Sequence, residues 1–292
     1  MPTNEQRRAS AKRKLQRQLE RRAEQARRRR LLVLAGAGVA LVLVIAAVGT
    51  VLFLNREHQK KPATASPSTS STTGSAAGVA ALPSFTASAD IGSKCDYPPS
   101  PEPASKPVNP PKTQGGKVPT DPAQVSISMV TDQGNIGLLL ANNKSPCTVN
   151  SFVSLTTQKF FDDTKCHRLT TSASLGVLQC GDPTGDGTGG PGYSFANEYP
   201  SDQYKPEDPA AHQPVLYPRG TLAMANSGPN TNGSQFFLVY KDSQLPPEYT
   251  VFGTVQQDGL ATLDKIAKGG VAGGGSDGAP ATPVTIKSVK LD

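Results

Sequence analysis

Residues 217–240 read YPRGTLAMANSGPNTNGSQFFLVY, and the reading of the whole chain turns on this stretch. Both ends have strand character. Leu222 and Met224 alternate with smaller residues, and Phe236-Phe237-Leu238-Val239 is a short apolar run of β-prone side chains. Between them, Ala225 to Gln235 consists of Ala, Asn, Ser, Gly, Pro, Thr and Gln alone. Such residues build turns and keep amide groups available for hydrogen bonds. A polar loop held between two strands is how a rigid scaffold presents a binding surface. A long hairpin connection with no further role is the plain alternative.

The pattern around this stretch is of short strands with two helices. VSISMV, from Val125, alternates; Asp132 to Asn135 turns; Ile136 to Leu140 returns, which predicts a hairpin. Ser145-Pro146 offers an N-cap followed by proline at the first helical position. Val149, Phe152, Val153 and Thr156 follow at helical spacing, predicting a helix to about Lys159. Thr164–Thr170 and Leu175–Cys180 read as two strands, and Gly181–Pro191 as a loop. Asp258–Lys268 carries Leu260, Leu263, Ile266 and Ala267 on one helical face and is stopped by Gly269-Gly270. A glycine-rich loop, Gly269–Gly278, leads to a last strand, Pro283–Leu291. The expected fold is mainly β, a barrel capped by two helices.

The first 121 residues are different in kind. The chain's net charge of +7 is concentrated at one end: residues 1–30 carry twelve Lys/Arg against three Glu, and the remainder carries eighteen Lys/Arg against twenty Asp/Glu. The folded part is therefore close to neutral, and a nucleic-acid-binding domain is not expected. Leu31 to Leu54 is 24 residues without a charge. At ~1.5 Å per residue it spans a hydrocarbon core of ~30 Å with some tilt, and it is too long for a signal-peptide core of ~7–15 residues. It reads as one retained transmembrane helix. The basic flank places residues 1–30 in the cytoplasm and the rest of the chain outside. Residues 55–121, with SPSTSSTTGSAAG and YPPSPEPASKPVNPPK, read as a disordered extracytoplasmic linker leading to a domain at 122–292. The alanine- and proline-rich style suggests an actinobacterial-like envelope.

The string MANSGPNTNGSQFF (Met224–Phe237), read with Cys166-His167-Arg168-Leu169 and Val251-Phe252-Gly253, is similar to the signature of cyclophilin-type peptidyl-prolyl cis-trans isomerases. The resemblance covers about Pro122 to Asp292. It implies an eight-stranded antiparallel barrel capped by two helices, and an enzyme that speeds rotation about X-Pro bonds in exported proteins. No covalent bond breaks in that reaction, so no cofactor, metal or nucleophile is expected. What is needed is a group that prefers the twisted amide, whose nitrogen regains a lone pair. Arginine suits this, being always charged and rigidly forked. The resemblance assigns the catalytic positions to Arg168 and Gln179, and substrate binding to Val177, Ala225, Asn226, Gln235, Phe237, Leu245 and Tyr249. Phe252 reads as core. A proline-binding module or chaperone with poor turnover, using the same pocket, is the alternative.

The chain departs from the family pattern in places. The turn between Arg168 and Gln179 is longer than usual, so the positions of the family's pocket-floor Phe and Met fall near Gly176 and Val177. Tyr249 stands where histidine is frequent. Gln244 stands where many members have tryptophan, and weak cyclosporin binding is expected. The sequence contains no tryptophan at all.

The four cysteines allow three pairings. Cys166 and Cys180 flank a candidate hairpin, so a bridge between them is the first choice, and Cys95–Cys147 would then tie the linker to the domain; four free thiols is the other reading. Asp182 and Asp186 sit in a glycine-rich loop that matches neither a phosphate loop nor an EF-hand, and it reads as a surface loop.

Overall fold

The computed structural model describes residues 79–205 and 207–292. The basic segment 1–30, the apolar segment 31–54 and residues 55–78 of the expected linker lie outside the described residues. Among the described residues, no helix is long and apolar enough to cross a membrane.

The elements, in chain order, are β1 (Ala80–Ala81), β2 (Val125–Thr131), β3 (Gly134–Leu140), α1 (Pro146–Thr157), β4 (Thr164–Lys165), β5 (Arg168–Thr170), β6 (Gly176–Cys180), β7 (Val215–Tyr217), β8 (Thr221–Met224), β9 (Phe236–Lys241), β10 (Ser243–Leu245), β11 (Val251–Val255), α2 (Gln257–Gly269), β12 (Asp277–Gly278) and β13 (Thr285–Leu291). Ten strands form one antiparallel sheet in the order β12-β5-β6-β9-β8-β11-β3-β2-β13-β4. The order explains the curl. Thr164–Lys165 pairs with β13 at one end, and Arg168–Thr170, two residues on, pairs with β6 near the other. One short run of chain thus touches both ends and draws the sheet round on itself.

The expected eight strands are ten here, for two reasons. The single strand predicted over Thr164–Thr170 breaks at Cys166-His167 as it leaves β13 for β6, and Asp277–Gly278 in the glycine-rich loop pairs with β5.

Alternation along the strands sorts side chains onto two faces. Leu169, Leu178, Leu222, Met224, Phe236 and Leu238 point inward. Phe152 of α1 sits at the centre of this core, with ring centroids 4.9 Å from Phe161, 5.3 Å from Phe236 and 5.3 Å from Phe252. Such tilted and edge-on aromatic contacts add to plain area burial. Phe252 is fully buried there, as its core reading requires. α2 turns Leu263 and Ile266 onto the same core.

The start of α1 differs from expectation. Ser145 precedes Pro146, yet its hydroxyl donates to the Val251 carbonyl at 2.9 Å and caps nothing. The open backbone N–H groups are met instead by Glu198, which accepts from Cys147 N at 3.0 Å and from Thr148 N at 2.8 Å.

The linker reading does not hold for residues 79–121. This segment is a strap laid over the domain. Cys95 is buried and bonded to Cys147. The Tyr97 hydroxyl donates to the Cys147 carbonyl at 2.7 Å, and its ring lies edge-on to Tyr193 and Phe195. Asn109 and Gln158 exchange two hydrogen bonds, at 2.8 and 3.0 Å. Nearer its start, β1 pairs in parallel with β7, in a separate sheet of order β1-β7-β10, and Phe85 stacks edge-on against Tyr199 under Lys144. Prolines stiffen the segment, so less entropy is lost when a few anchors fix it. An average over its composition hides those anchors.

Candidate active site

The outer face of the same strands carries the site. β5 and β6 pair so that Arg168 stands opposite Gln179. In the β6–β9 ladder Gln179 stands opposite Phe237, and Val177 opposite Val239. In the β8–β9 ladder Ala223 stands opposite Phe237. Directly opposed residues share a face, so register alone places Arg168, Gln179, Phe237 and Ala223 in one row. Val177, Val215, Tyr217, Ala223, Phe237 and Val239 form a second apolar cluster, separate from the core.

Around this row lies a cavity of about 140 Å³, lined by Arg168, Leu175, Val177, Gln179, Ala225, Asn226, Phe237, Leu245 and Tyr249. The elements that bring them together are far apart in sequence. Leu245 ends β10, which is held against β7. Tyr249 meets Phe237 edge-on at 5.6 Å. The Tyr217 hydroxyl, buried below, donates to the Pro246 and Tyr249 carbonyls at 3.1 Å each and fixes the turn between Leu245 and Tyr249. Burial pushes that phenol far above its ordinary range, so it stays a donor.

Arg168 is anchored on two sides. Its Nη1 donates to Gln179 Oε1 at 3.2 Å, and Nε and Nη2 donate to the two carboxylate oxygens of Asp277 at 2.7 Å each. The hydrogen bond to Asp277 strengthens the cation further, and the same bond holds the Asp277 carboxyl below its usual range. Gln179 is oriented in turn: its Nε2 donates to Gln235 Oε1 at 2.9 Å. The Gln235 amide then donates to the carbonyls of Gly187 and Gly189 at 2.9 and 3.0 Å.

Eight of the nine predicted catalytic and substrate-binding residues therefore line one cavity. Gln235 is the exception: it does not line the cavity and stands behind Gln179. Leu175 and Asp277 were not anticipated. Leu175 lies in the lengthened turn after Arg168, which is folded back and pinned: Val177 N donates to Thr170 Oγ1 at 3.0 Å, and Gln244 N donates to the Ser174 carbonyl at 2.8 Å. The signal for Leu175 was available, because it is two residues before Val177 and shares its strand parity. Nothing local pointed to Asp277.

The polar loop 225–235 is braced by its asparagine amides against neighbouring segments. Asn226 Nδ2 donates to the Glu248 carbonyl at 2.9 Å, and Asn232 Nδ2 to Asn197 Oδ1 at 2.8 Å. The loop's amides thus mainly hold its shape, leaving Ala225 and Asn226 at the cavity wall. Both cysteine pairs are bonded, Cys166 to Cys180 and Cys95 to Cys147. In the glycine-rich loop, the Asp182 carboxylate accepts from Thr184 N at 2.7 Å and Gly187 N at 2.6 Å, and Asp186 accepts from Thr188 N at 2.9 Å. These acids are taken up by their own loop. Hydrogen bonds from the Thr188 and Thr184 side chains hold the Asp186 carboxyl down at about 2.

A family model described as cyclophilin type peptidyl-prolyl cis-trans isomerase/CLD matches residues 126–291. The chain is 68% identical over 297 residues to the "Probable peptidyl-prolyl cis-trans isomerase B" of Mycobacterium leprae, covering all of both chains. It is 66% identical over 308 residues to the protein of that name from Mycobacterium tuberculosis, covering 100% of this chain and 95% of the other. A crystal structure of a Cryptosporidium parvum cyclophilin type peptidyl-prolyl cis-trans isomerase matches with 28% identity and a TM-score of 0.45, covering 58% of this chain and 98% of that one.

Proposed function

The chain belongs to the cyclophilin-type peptidyl-prolyl cis-trans isomerases and is an enzyme of that activity; on that footing we propose that Arg168 is its catalytic side chain and that its substrates are X-Pro segments of exported proteins. An X-Pro amide resists rotation by ~18–20 kcal/mol because of resonance. As it twists, the prolyl nitrogen becomes a hydrogen-bond acceptor. A guanidinium aimed at that nitrogen stabilises the twisted amide and neither planar form, which is what acceleration requires. The observation that carries the assignment is that Arg168, held by Gln179, lines the same cavity as Phe237.

In this reading the proline ring packs on Phe237, Val177 and Leu245, with Leu175 completing the apolar wall. Gln179 orients the arginine, Gln235 holds Gln179, and backbone near Ala225 and Asn226 takes the peptide chain. Tyr249 closes the rim. Residues 31–54 anchor the chain in a membrane and residues 1–30 remain in the cytoplasm, which puts the catalytic domain outside. Support comes from the charge asymmetry of the sequence and from two disulfides, which persist in oxidising compartments.

The test is NMR exchange of an Ala-Pro peptide by the full chain in detergent, beside Arg168→Ala. The expected loss is ~10²-fold or more in kcat/KM, equal to about 2.7 kcal/mol of transition-state stabilisation. A substituted protein as fast as the parent would remove Arg168 from the mechanism. Peptide binding with no acceleration by either protein would move the assignment to a proline-binding module. Protease added to intact cells should remove the folded domain; full protection would place the domain inside.

A further inference from the structure

Asp277 holds Arg168 through two parallel hydrogen bonds of 2.7 Å, on the edge of the guanidinium that faces away from Gln179. The pair is not placed by sequence proximity, since 109 residues separate the partners. It is placed by the glycine-rich loop. Gly270, Gly273 and Gly274 all have φ near +75°, a region other residues rarely adopt, and through them the chain turns back so that Asp277 pairs with Thr170 beside β5. Both side chains are about half exposed, 40% for Arg168 and 53% for Asp277. An ion pair so exposed adds ~0–1 kcal/mol to stability, so fold stability gives little reason for the geometry.

The geometry does bear on the guanidinium's direction. An arginine stem rotates freely unless its fork is held. Gln179 takes a single N–H at 3.2 Å, which fixes a distance but not a plane. A carboxylate receiving Nε–H and Nη2–H together fixes the plane. The three bonds use three of the five N–H groups and leave one on each terminal nitrogen, that of Nη2 on the terminal edge of the fork. We propose that Asp277 is a positioning residue for catalysis: by clamping Nε and Nη2 it aims the terminal edge of Arg168 at the prolyl nitrogen, while its own charge stays on the side remote from Gln179. This rests on the assignment of Arg168 as the catalytic side chain. A neutral amide at 277 could accept only one of the two bonds and would turn its NH2 toward the other N–H.

The experiment is a double-mutant cycle in the full chain, read by NMR exchange on the Ala-Pro peptide, with Arg168→Ala, Asp277→Ala and the double substitution. Asp277→Ala is expected to lower kcat about tenfold with KM within about twofold. In the Arg168→Ala background it is expected to cost less than about twofold, because a clamp with nothing to hold does nothing. The Arg168 Nε–H signal, sharp and shifted in the parent, should broaden or move in Asp277→Ala. Asp277→Asn keeps the shape if the alanine variant fails to fold, and should lie between parent and alanine in kcat.

If Arg168→Ala is slow but Asp277→Ala and Asp277→Asn keep parental kcat, the positioning role is overturned and the catalytic arginine stands. If Asp277→Ala costs the same tenfold with and without Arg168, Asp277 acts by another route and the inference fails. If Arg168→Ala itself retains full activity, the assignment on which the inference rests is what has failed.

Discussion

Cys166 is bonded to Cys180, and the two residues bracket the proposed catalytic pair: Arg168 lies two residues after the first, Gln179 one before the second. β5 has three residues and makes only two register pairs with β6, so the bridge is the main covalent brace on this ladder. The bond closes a loop of 14 residues, worth ~3 kcal/mol in the chain-entropy account. The double substitution Cys166→Ser, Cys180→Ser should lower Tm by roughly 6–12 °C for a domain of this size. It should also reduce kcat several-fold even at temperatures where the protein is folded. Unchanged turnover in the folded variant would mean that hydrogen bonding alone aligns Arg168 and Gln179.

Glu198 serves as the cap of α1 from outside the helix, and it does so from a partly buried position. It accepts from two backbone N–H groups and from the Thr148 hydroxyl at 2.6 Å. Burial pushes its carboxyl up to about 7, against the pull of those hydrogen bonds. The folded state therefore binds this proton more tightly than the unfolded chain. The resulting stability is present in full below the unfolded value, near 4.5, and is lost as pH rises through about 7. Urea midpoints of the parent should fall between about pH 4.5 and 7, and Glu198→Gln should flatten that slope. The amide would also set an NH2 against backbone N–H groups at the helix start, costing ~1–3 kcal/mol at pH 6. A parent whose midpoint does not change over this range would rule out the titration.

The strap over residues 79–121 should behave as part of the domain. Its disulfide joins residues 52 apart, worth ~4 kcal/mol by the same chain-entropy reasoning. A chain beginning at residue 122 should unfold at lower denaturant than one beginning at 79, and Cys95→Ser with Cys147→Ser should fall between them. Limited proteolysis of the full chain should leave 79–121 attached despite its proline-rich composition. Rapid cleavage within this segment would show that its anchors open readily.

Cyclosporin is expected to inhibit weakly, with an affinity poorer than low micromolar. Gln244 stands in β10 beside the cavity residue Leu245, at the position where many family members carry tryptophan. Gln244→Trp should tighten inhibition at least tenfold, equivalent to about 1.4 kcal/mol. Tight inhibition of the parent protein would show that the indole is dispensable here.

The sequence was a good guide wherever the information was periodic. Alternation in VSISMV and in the runs on either side of Ala225–Gln235 predicted strands, because the pleat turns successive side chains to opposite faces whatever the rest of the chain does. The hairpin β2–β3, the helix begun at Pro146 and the strand carrying Gln179 lie where the sequence reading puts them, and Arg168 keeps its strand although the predicted run breaks before it. The run MANSGPNTNGSQFF, read with Cys166–Leu169 and Val251–Gly253, carried the family resemblance, because a long specific string is legible without knowing its contacts.

What only the tertiary structure decided are the contacts between segments distant in sequence. Glu198 replaces Ser145 as the helix cap from about 50 residues away, and Asp277 reaches Arg168 across 109. Gln235 turns behind Gln179, and anchors such as Phe85, Cys95, Tyr97 and Asn109 convert a proline-rich stretch into an ordered strap. The strand count changed because a curled sheet makes one run of chain serve two neighbours and because Asp277–Gly278 pairs with β5. A local pattern fixes which face a side chain takes. Which group it meets on that face depends on how the sheet closes, and that is set by the packing of the whole chain.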